Sequence, residues 1–313
     1  MSAERGSMLS IAFSHEELVV LAELCDLQLP MLGERPLPAL SGASREAVLD
    51  VAARSLLARG VLVRHGDEVG LVRAATGLLE IVSASSLRVE VITQGPTAAS
   101  GSTERSWRTI HAVPYAAVDS SLDHNGNHRF APFATEDLLL HVGRLTGLLG
   151  DDGEPAAAGA TPAGEGASLP YAAWRHAGAL VRSGADADAR AALVDGGATA
   201  GAAADLLEVL RSDGPTAAVQ VRHHPSPTST AGGEAAWIDA GSTGLWLLPT
   251  IDQPFGRLPR PGGDDDRRVL HDALSLGEGD EPDAALDGVM VTIAPTTAAA
   301  VLGDLHSVLP ASA

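Results

Sequence analysis

Three side chains that could ligate a metal ion, Asp123, His124 and His128, lie within six residues of one another. Imidazole nitrogens and carboxylate oxygens are common ligands of Zn²⁺ and related ions. The spacing matches none of the usual zinc motifs, however, and Asn125-Gly126 between the two histidines is typical of a tight hairpin turn. We therefore predict that these residues form a hairpin turn and not a metal site, although a ligand role for either histidine stays open.

Two other clusters of polar residues give weaker indications of a metal-binding or catalytic site. His223 and His224 precede Pro225, and neighbouring side chains on a strand point to opposite faces, so the pair is poorly placed to share one ligand. Residues 264–268 form an Asp-Asp-Asp-Arg-Arg run that could hold a divalent cation, but such runs are more often solvated surface. A hydrolase that uses His124, Asp123 or His224 remains an alternative, and it predicts a pocket where these groups converge.

Several classes of enzyme lack the residues they need. Cys25 is the only cysteine, so the chain has no internal disulfide and no multi-cysteine zinc site, and we predict a core position for it. All 21 basic residues are arginine, which removes the Walker phosphate loop, Schiff-base chemistry and the kinase lysine. No G-x-S-x-G, H-E-x-x-H or G-x-G-x-x-G motif occurs. We predict a protein without catalytic activity or cofactor.

Net charge and hydropathy limit the expected binding partners and the expected cellular location of the protein. The formal net charge of −19 opposes unspecific attraction to nucleic acid and to anionic lipid, and an aromatic content of 3% leaves few platforms for base stacking. No apolar stretch reaches the roughly 18 residues of a membrane helix, and the N-terminus lacks a signal-peptide pattern. We expect a cytoplasmic protein without membrane insertion, and the absence of lysine suggests a GC-rich genome such as that of an actinobacterium.

The first half of the sequence begins with helices and continues with strands. Ser14 and Glu17 form a capping-box pattern that predicts a helix ending near Leu27, and a second helix begins at Ser44 and ends at Gly60. A short hairpin over 61–72 follows. Helix plus hairpin is typical of a winged-helix DNA-binding protein, so a regulator that uses residues 44–72 is kept as an alternative, although the acidic residues there argue against it. Further elements are predicted for a helix at 73–83, strands at 87–93, 107–113, 115–122 and 128–131, and a helix at 135–149.

The second half repeats this order of elements after a Gly-, Ala- and Pro-rich linker at 150–168. Helices are predicted at 171–183 and 198–210, strands at 217–223, 234–240, 245–248 and 289–294, and a last helix at 296–308. An acidic segment at about 253–287 is predicted to be an insertion. The chain therefore divides into an N-terminal unit at 1–149, the linker, and a C-terminal unit at 169–313.

Matched landmarks in the two halves predict a duplication. The Leu-Leu-Glu-aliphatic segments at 78–81 and 206–209 each precede a strand, Trp107 corresponds to Trp237, and Gly143 corresponds to Gly303 in the closing helices. Two such units, each with an exposed sheet edge, could pair their edges to form one larger sheet.

The order of features resembles the EspG family, the cytosolic chaperones associated with ESX (type VII) secretion in actinobacteria. The similarity spans nearly the whole chain, although the linker and the insertion make this chain longer than a typical member. It is carried by the opening helix Glu17 to Ala22 leading to Leu29-Pro30, by the turn from Leu56 to Leu62, by the strand from Leu87 to Thr93, by the helix from Leu138 to Leu149, and by the closing segment Val291 to Pro295 followed by a helix and Leu309-Pro310.

The resemblance implies a fold and a function. The fold would be α/β (α+β), a quasi-two-fold duplicated unit with a central, mostly antiparallel twisted sheet flanked by helical bundles. The function would be to bind the helical tip of a PE–PPE heterodimer and keep it soluble until export. Family members engage cargo near the loop at 94–105, and its counterpart in the second half is 225–233. The oligomeric state stays open, a homodimer included. The residues expected to bind protein are Gln94, Thr97, Ser102, Arg105, Trp107, His223 and Trp237.

Overall fold

An antiparallel sheet of ten strands runs through the described part of the protein. The computed structural model describes residues 10–34, 42–66, 68–96, 103–155, 164–226, 229–248 and 289–309. The predicted insertion at 253–287, with its Asp-Asp-Asp-Arg-Arg run, lies outside these residues. Among the described helices, none combines the length and the apolar character that crossing a membrane requires.

The first half alternates short strands with helices and then becomes a meander. Its elements are β1 (Ile11–Phe13), α1 (His15–Cys25), α2 (Pro30–Glu34), α3 (Gly42–Ala58), β2 (Leu62–His65), β3 (Glu68–Leu71), α4 (Arg73–Ala84), β4 (Leu87–Pro96), β5 (Thr103–Val113), β6 (Ala116–Leu122), β7 (His128–Phe133), a 3-10 turn (Thr135–Asp137) and α5 (Leu138–Leu145).

The second half follows a similar order. Its elements are β8 (Ala167–Pro170), α6 (Tyr171–Arg182), α7 (Asp186–Asp195), α8 (Ala200–Arg211), β9 (Thr216–Ser226), β10 (Ser229–Asp239), a 3-10 turn (Gly241–Thr243), β11 (Leu245–Leu248), β12 (Met290–Thr296) and the last helix, here called α9 (Ala298–Val308).

The strand order has the same pattern when it is followed from either edge of the sheet. The order is β1-β7-β6-β5-β4-β9-β10-β11-β12-β8, with each half contributing five consecutive strands. The halves join where β4 pairs antiparallel with β9 over eight residue pairs, from Leu87 opposite His223 to Gln94 opposite Thr216. The predicted fold class, a large antiparallel sheet flanked by helices, is confirmed.

Helices cover the two faces of the sheet differently. On one face, α5 and α9 pack over the centre, and their core joins Val89 and Val91 of β4 to Val219 and Trp237 of the second half. On the opposite face, α1 to α4 pack over β6 and β7, and α6 to α8 pack over β10 to β12. Both halves therefore contribute to the central core.

The predicted capping box begins α1. The backbone N–H of Glu17 donates to Ser14 Oγ at 3.2 Å, and the backbone N–H of Ser14 donates to Glu17 Oε2 at 3.0 Å. The Glu17 carboxylate also accepts from Ser55 Oγ and Arg59 Nη1, both at 2.7 Å, which ties α1 to α3. The helix ends at Cys25, where Asp26 adopts the left-handed conformation with φ of 53°. Cys25 itself is half-buried at this end of the helix.

Several predicted boundaries were wrong. The α5 helix covers Leu138–Leu145 instead of 135–149, because a 3-10 turn precedes it and Gly147, with φ of 74°, follows it. β8 begins inside the predicted linker and pairs with β12. β1, α2 and α7 were not predicted. β1 and β8 have only three and four residues, too few for a clear period-two pattern, and in α7 only Ala189 and Leu193 are buried.

The two tryptophans used as landmarks are not in equivalent positions. Trp107 lies opposite Ile92, whereas Trp237 lies opposite Ala217, which in turn pairs with Thr93. Ile92 and Thr93 are consecutive, so the two tryptophans project from opposite faces of the sheet. The leucines at 78–79 and 206–207, in contrast, occupy similar settings: all four are buried, and each pair lies on a helix that leads into a central strand.

Candidate protein-binding face of the sheet

The centre of the sheet carries a distinct polar surface on the face opposite α5 and α9. We call this surface the central face. On one side of it α4 packs against Val118 of β6, and on the other α8 packs against Ile238 of β10. The cross-strand pairs place their side chains on the same face. Between the helices, the central face consists of Arg88, Glu90, Ile92 and Gln94 of β4, Arg105, Trp107, Thr109 and His111 of β5, and Ala218, Gln220 and Arg222 of β9.

The central face has an apolar floor and a polar surround. Ile92 and Ala218 are 1% and 5% exposed, yet among the described residues neither belongs to one of the three core clusters. Trp107, Gln220 and Arg222 are half-buried. Trp107 beside a buried apolar floor, with half-buried polar side chains around it, has the composition of a protein interface, where an aromatic anchor and a polar rim are typical.

A buried ion pair and a neutral histidine set the electrostatics of the central face. Arg88 Nε lies 3.0 Å from Glu90 Oε1, and Glu90 is almost fully buried. The pKa of His111 is lowered to about 3, first by burial and then by the positive charge of Arg88. Ser85, which ends α4, places its Oγ 3.3 Å from His111 Nδ1. His111 therefore stays neutral at physiological pH.

Two buried polar atoms on the central face have no hydrogen-bond partner among the described residues. They are Gln220 Oε1 and His111 Nε2, which lie in adjacent rows of the sheet. A buried polar atom without a partner costs about 1–3 kcal/mol. Gln220 as a whole is half-buried, so its side chain is partly accessible on this face.

The residues predicted to bind protein fall into three groups. Gln94 of β4 lies opposite Arg105 of β5. Trp107 is two residues further along β5, on the same face of the sheet. His223 and Trp237 instead lie on the face of α5 and α9, where Trp237 is 2% exposed and part of the core. Thr97 and Ser102 are outside the described residues. The predicted loops are also shorter, because β4 extends to Pro96, β5 begins at Thr103 and β9 extends to Ser226.

Sequence reasoning missed the charged centre of this face. Arg88, Glu90, Gln220 and Arg222 each alternate with buried valines in the two central strands. That alternation is a usable signal, since polar residues at every second position of a central strand indicate that one face of the strand carries polar groups.

The Asp123 segment is a hairpin turn in the structure. Asp123 Oδ1 accepts the backbone N–H groups of Asn125 and Asn127, each at 2.9 Å, and these bonds lower the pKa of Asp123. His124 is exposed, whereas His128 is buried on β7. No group of three or more histidine, cysteine or acidic side chains that could hold a metal converges in the described ranges.

The residues of the alternative hydrolase lie far apart. The turn at Asp123 lies beyond Ser121, and the pairing of β6 with β5 places that turn at the Gln94 end of the sheet. His224 follows His223, which pairs with Leu87 at the opposite end. About six residues along the strands separate the two rows, or about 20 Å at roughly 3.3 Å per residue. The geometry gives this hydrolase no shared pocket.

The winged-helix segment forms as a hairpin after α3. Two arginines of α3 are already engaged, because Arg45 pairs with Glu23 and Arg54 pairs with Asp50. Leu62 of β2 is buried against the N-terminal helices. The segment presents little free positive charge of the kind that contacts phosphate.

Comparisons with known proteins show similarity in fold and none in sequence. No protein-family model matches the chain, and no curated protein matches it in sequence. Among solved structures, a complex of the type VII secretion system chaperone EspG5 from Mycobacterium tuberculosis with the PE25–PPE41 dimer is similar, with a TM-score of 0.57 and 13% identity. The chain has a fold similar to that of EspG5. The match covers 96% of this chain and 97% of that one, so it includes both halves of the sheet and the helices on both faces.

Proposed function

We propose that the chain is a chaperone of type VII secretion, which binds a PE–PPE-type heterodimer in the cytosol and keeps it soluble until export. The observation that carries the proposal is the fold similarity to EspG5 over nearly the full length of both chains. That neighbour is described as a chaperone in complex with a PE–PPE dimer. The proposed role is binding, without catalysis and without a cofactor.

The central face has the chemistry that such a role needs. A secretion substrate with exposed apolar side chains at a helical tip would aggregate, and a surface that covers it needs an apolar strip within a polar rim. Trp107 supplies a half-buried apolar contact, Ile92 and Ala218 form the buried floor beside it, and Arg88 and Arg222 lie nearby. The formal net charge of −19 would keep the complex soluble and favour a substrate with a basic surface.

The proposed contact residues are Gln94, Arg105 and Trp107, which share the central face. Thr97 and Ser102 stay in the proposal as neighbours of these strand ends, outside the described residues. His223, on the other face, would need a second contact area, and Trp237 is assigned to the core.

Co-expression tests the proposal. The chain, tagged at one end, is produced with each PE–PPE pair encoded in the same genome, and the complexes are measured by co-purification and by isothermal titration calorimetry. We expect one pair to bind, and Trp107→Ala to weaken binding at least 10-fold, because a central aromatic anchor contributes about 2 kcal/mol or more. Tyr115→Ala is the matched control, since Tyr115 is 80% exposed in the turn at the far end of β5.

One result would contradict the proposed function, and another would contradict only the proposed site. A folded chain that binds no pair from its own genome would exclude the function. A pair that binds wild type and Trp107→Ala equally, but loses affinity with Tyr115→Ala, would keep the function and move the site away from the central face.

A further inference from the structure

The arginines of the central face give it a charge opposite to that of the whole protein. Arg88, Arg105 and Arg222 lie on this face with one carboxylate, Glu90. His111 adds no charge because it is neutral. The chain as a whole carries 21 arginines against 40 acidic residues. A partner bound at the central face would therefore meet a locally cationic surface, although the protein as a whole attracts basic groups.

Arg222 has no acidic partner among the described residues. Arg88 of β4 lies directly opposite Arg222 of β9 and is itself paired with Glu90. On its other side Arg222 faces Gly232 of β10, which has no side chain. Glu90 and Glu234 are its diagonal neighbours, and in this part of the chain neither forms an ion pair with it. None of these residues takes up the guanidinium N–H groups of Arg222, which can donate to a bound group.

The pairing of Arg88 with Arg222 favours the binding of an anion. Like charges directly opposite each other on neighbouring strands destabilise a sheet. Arg222 is half-buried, so this repulsion is screened less than at a fully exposed site. A carboxylate that accepts from a guanidinium forms a charge-assisted hydrogen bond, which is shorter and stronger than a neutral one. A bound acidic group would therefore relieve the repulsion and add a contact of its own.

The position of Arg222 suits a partner that also contacts Trp107. Trp107 shares a row of the sheet with Ile92 and Ala218, and Arg222 lies four residues beyond Ala218 on β9. Two steps of about 4.8 Å between strands and four residues of about 3.4 Å along the strand place Trp107 and Arg222 roughly 17 Å apart. An interface of ordinary size, about 800 Å² per partner, extends over that distance. One partner can therefore contact both residues.

We propose that Arg222 binds the carboxylate of an aspartate or glutamate on the same partner surface that contacts Trp107. The inference rests on the proposed function, and it narrows the substrate class to one with an acidic side chain beside its apolar contact surface. Arg222 would then select among substrates. A partner with an apolar group at this point would leave the repulsion between Arg88 and Arg222 in place, and one with a basic group would add to it.

Calorimetry with the PE–PPE pair that binds the wild-type chain tests the contact. We expect Arg222→Gln to weaken binding by about 10-fold or more, because the partner's carboxylate would lose its charged donor. Arg129→Gln is the matched control, since it removes the same charge from an exposed position of β7 on the face of α5 and α9. The control should change the affinity by less than about 2-fold.

Unfolding of the free chain separates binding from folding. Arg222→Gln removes one of two facing positive charges, so its midpoint of urea unfolding without a partner should equal or exceed that of wild type. A lower midpoint would assign Arg222 to the stability of the sheet and overturn the proposal.

Substitutions in the partner identify the acid. Each aspartate and glutamate of the bound pair is replaced by its amide, and each variant is titrated into wild type and Arg222→Gln. We expect one acid whose loss weakens binding to wild type by about 10-fold and leaves binding to Arg222→Gln unchanged. A pair that binds wild type but contains no such acid, or that binds Arg222→Gln as tightly as wild type, overturns this inference alone. If no pair binds wild type, the proposed function fails, and the inference fails with it.

Discussion

At the residue scale, the central face is controlled by how its buried polar groups are paired. Glu90 is buried with Arg88 beside it, and the charge of Arg88 acts in turn on His111, which stays neutral. A neutral, buried imidazole next to an arginine is stable only while the ring remains unprotonated. Protonation of this ring therefore links the stability of the fold to pH.

The sign of that linkage follows from the two pKa values. In the unfolded chain the His111 ring titrates near its ordinary value of 6.5, and in the folded chain its pKa is about 3. Between these values the unfolded chain binds a proton that the folded chain does not. The contribution of His111 to stability is therefore complete above pH 6.5 and declines as the pH falls toward 3.

We expect His111→Gln to flatten the acid dependence of unfolding. A difference of one bound proton between the unfolded and folded chains changes the free energy of unfolding by about 1.4 kcal/mol per pH unit. The stability lost between pH 7 and pH 5 should therefore be smaller in the variant by about 2 kcal/mol. Urea unfolding at pH 7, 6 and 5 measures it. His124→Gln, at an exposed turn, is the control and should match wild type. Equal pH slopes in all three proteins would disprove the assignment.

At the scale of elements, the closing helices α5 and α9 are similar in position but differ in packing. Gly143 of α5 is buried, and a methyl group there would lie 2.6 Å from Leu149 Cδ1 and 3.3 Å from Leu302 Cδ2 of α9. Gly303 of α9 is exposed, and a methyl group there would meet nothing within 4 Å. Only the first glycine is needed for close packing.

We therefore expect opposite signs for two alanine substitutions. Gly143→Ala should destabilise the protein by about 1–3 kcal/mol from overpacking, less the gain of up to about 1 kcal/mol in helix propensity. Gly303→Ala should stabilise it by about 0.5–1 kcal/mol. Midpoints of urea unfolding report both changes. If both variants gain stability equally, the packing of Gly143 against Leu149 and Leu302 is looser than these distances indicate.

Elements fixed by interactions between residues close in the chain could be predicted from the sequence, whereas elements that depend on pairing with a distant strand could not. The capping box at Ser14 and the Asn125-Gly126 turn act within a few residues, and both occur as predicted. The short edge strand β8 depends on pairing with β12, far away in the chain, and the local sequence there predicts only a linker. The central face depends in the same way on the pairing of β4 with β9, which local alternation does not specify.

At the scale of the whole molecule, the two sequence halves share one core. Val91 of β4 pairs with Val219 of β9, and both belong to the cluster that α5 and α9 cover. Separate halves would expose the long edges of these central strands and half of that core. The halves are therefore expected to unfold together, although each has its own flanking helices.

Substitution at the shared strand pair tests this cooperativity. Val219 is 1% exposed, so Val219→Ala should cost about 1–3 kcal/mol through lost burial and a cavity. Hydrogen exchange measured by mass spectrometry on peptides from α4 and α8 should show the same decrease in protection in both halves, with a single urea transition. Val194→Ala, at a position 42% exposed on α7, should change stability by less than about 0.5 kcal/mol. If α8 loses protection while α4 keeps it, the halves unfold separately, and the sheet joins two domains instead of forming one.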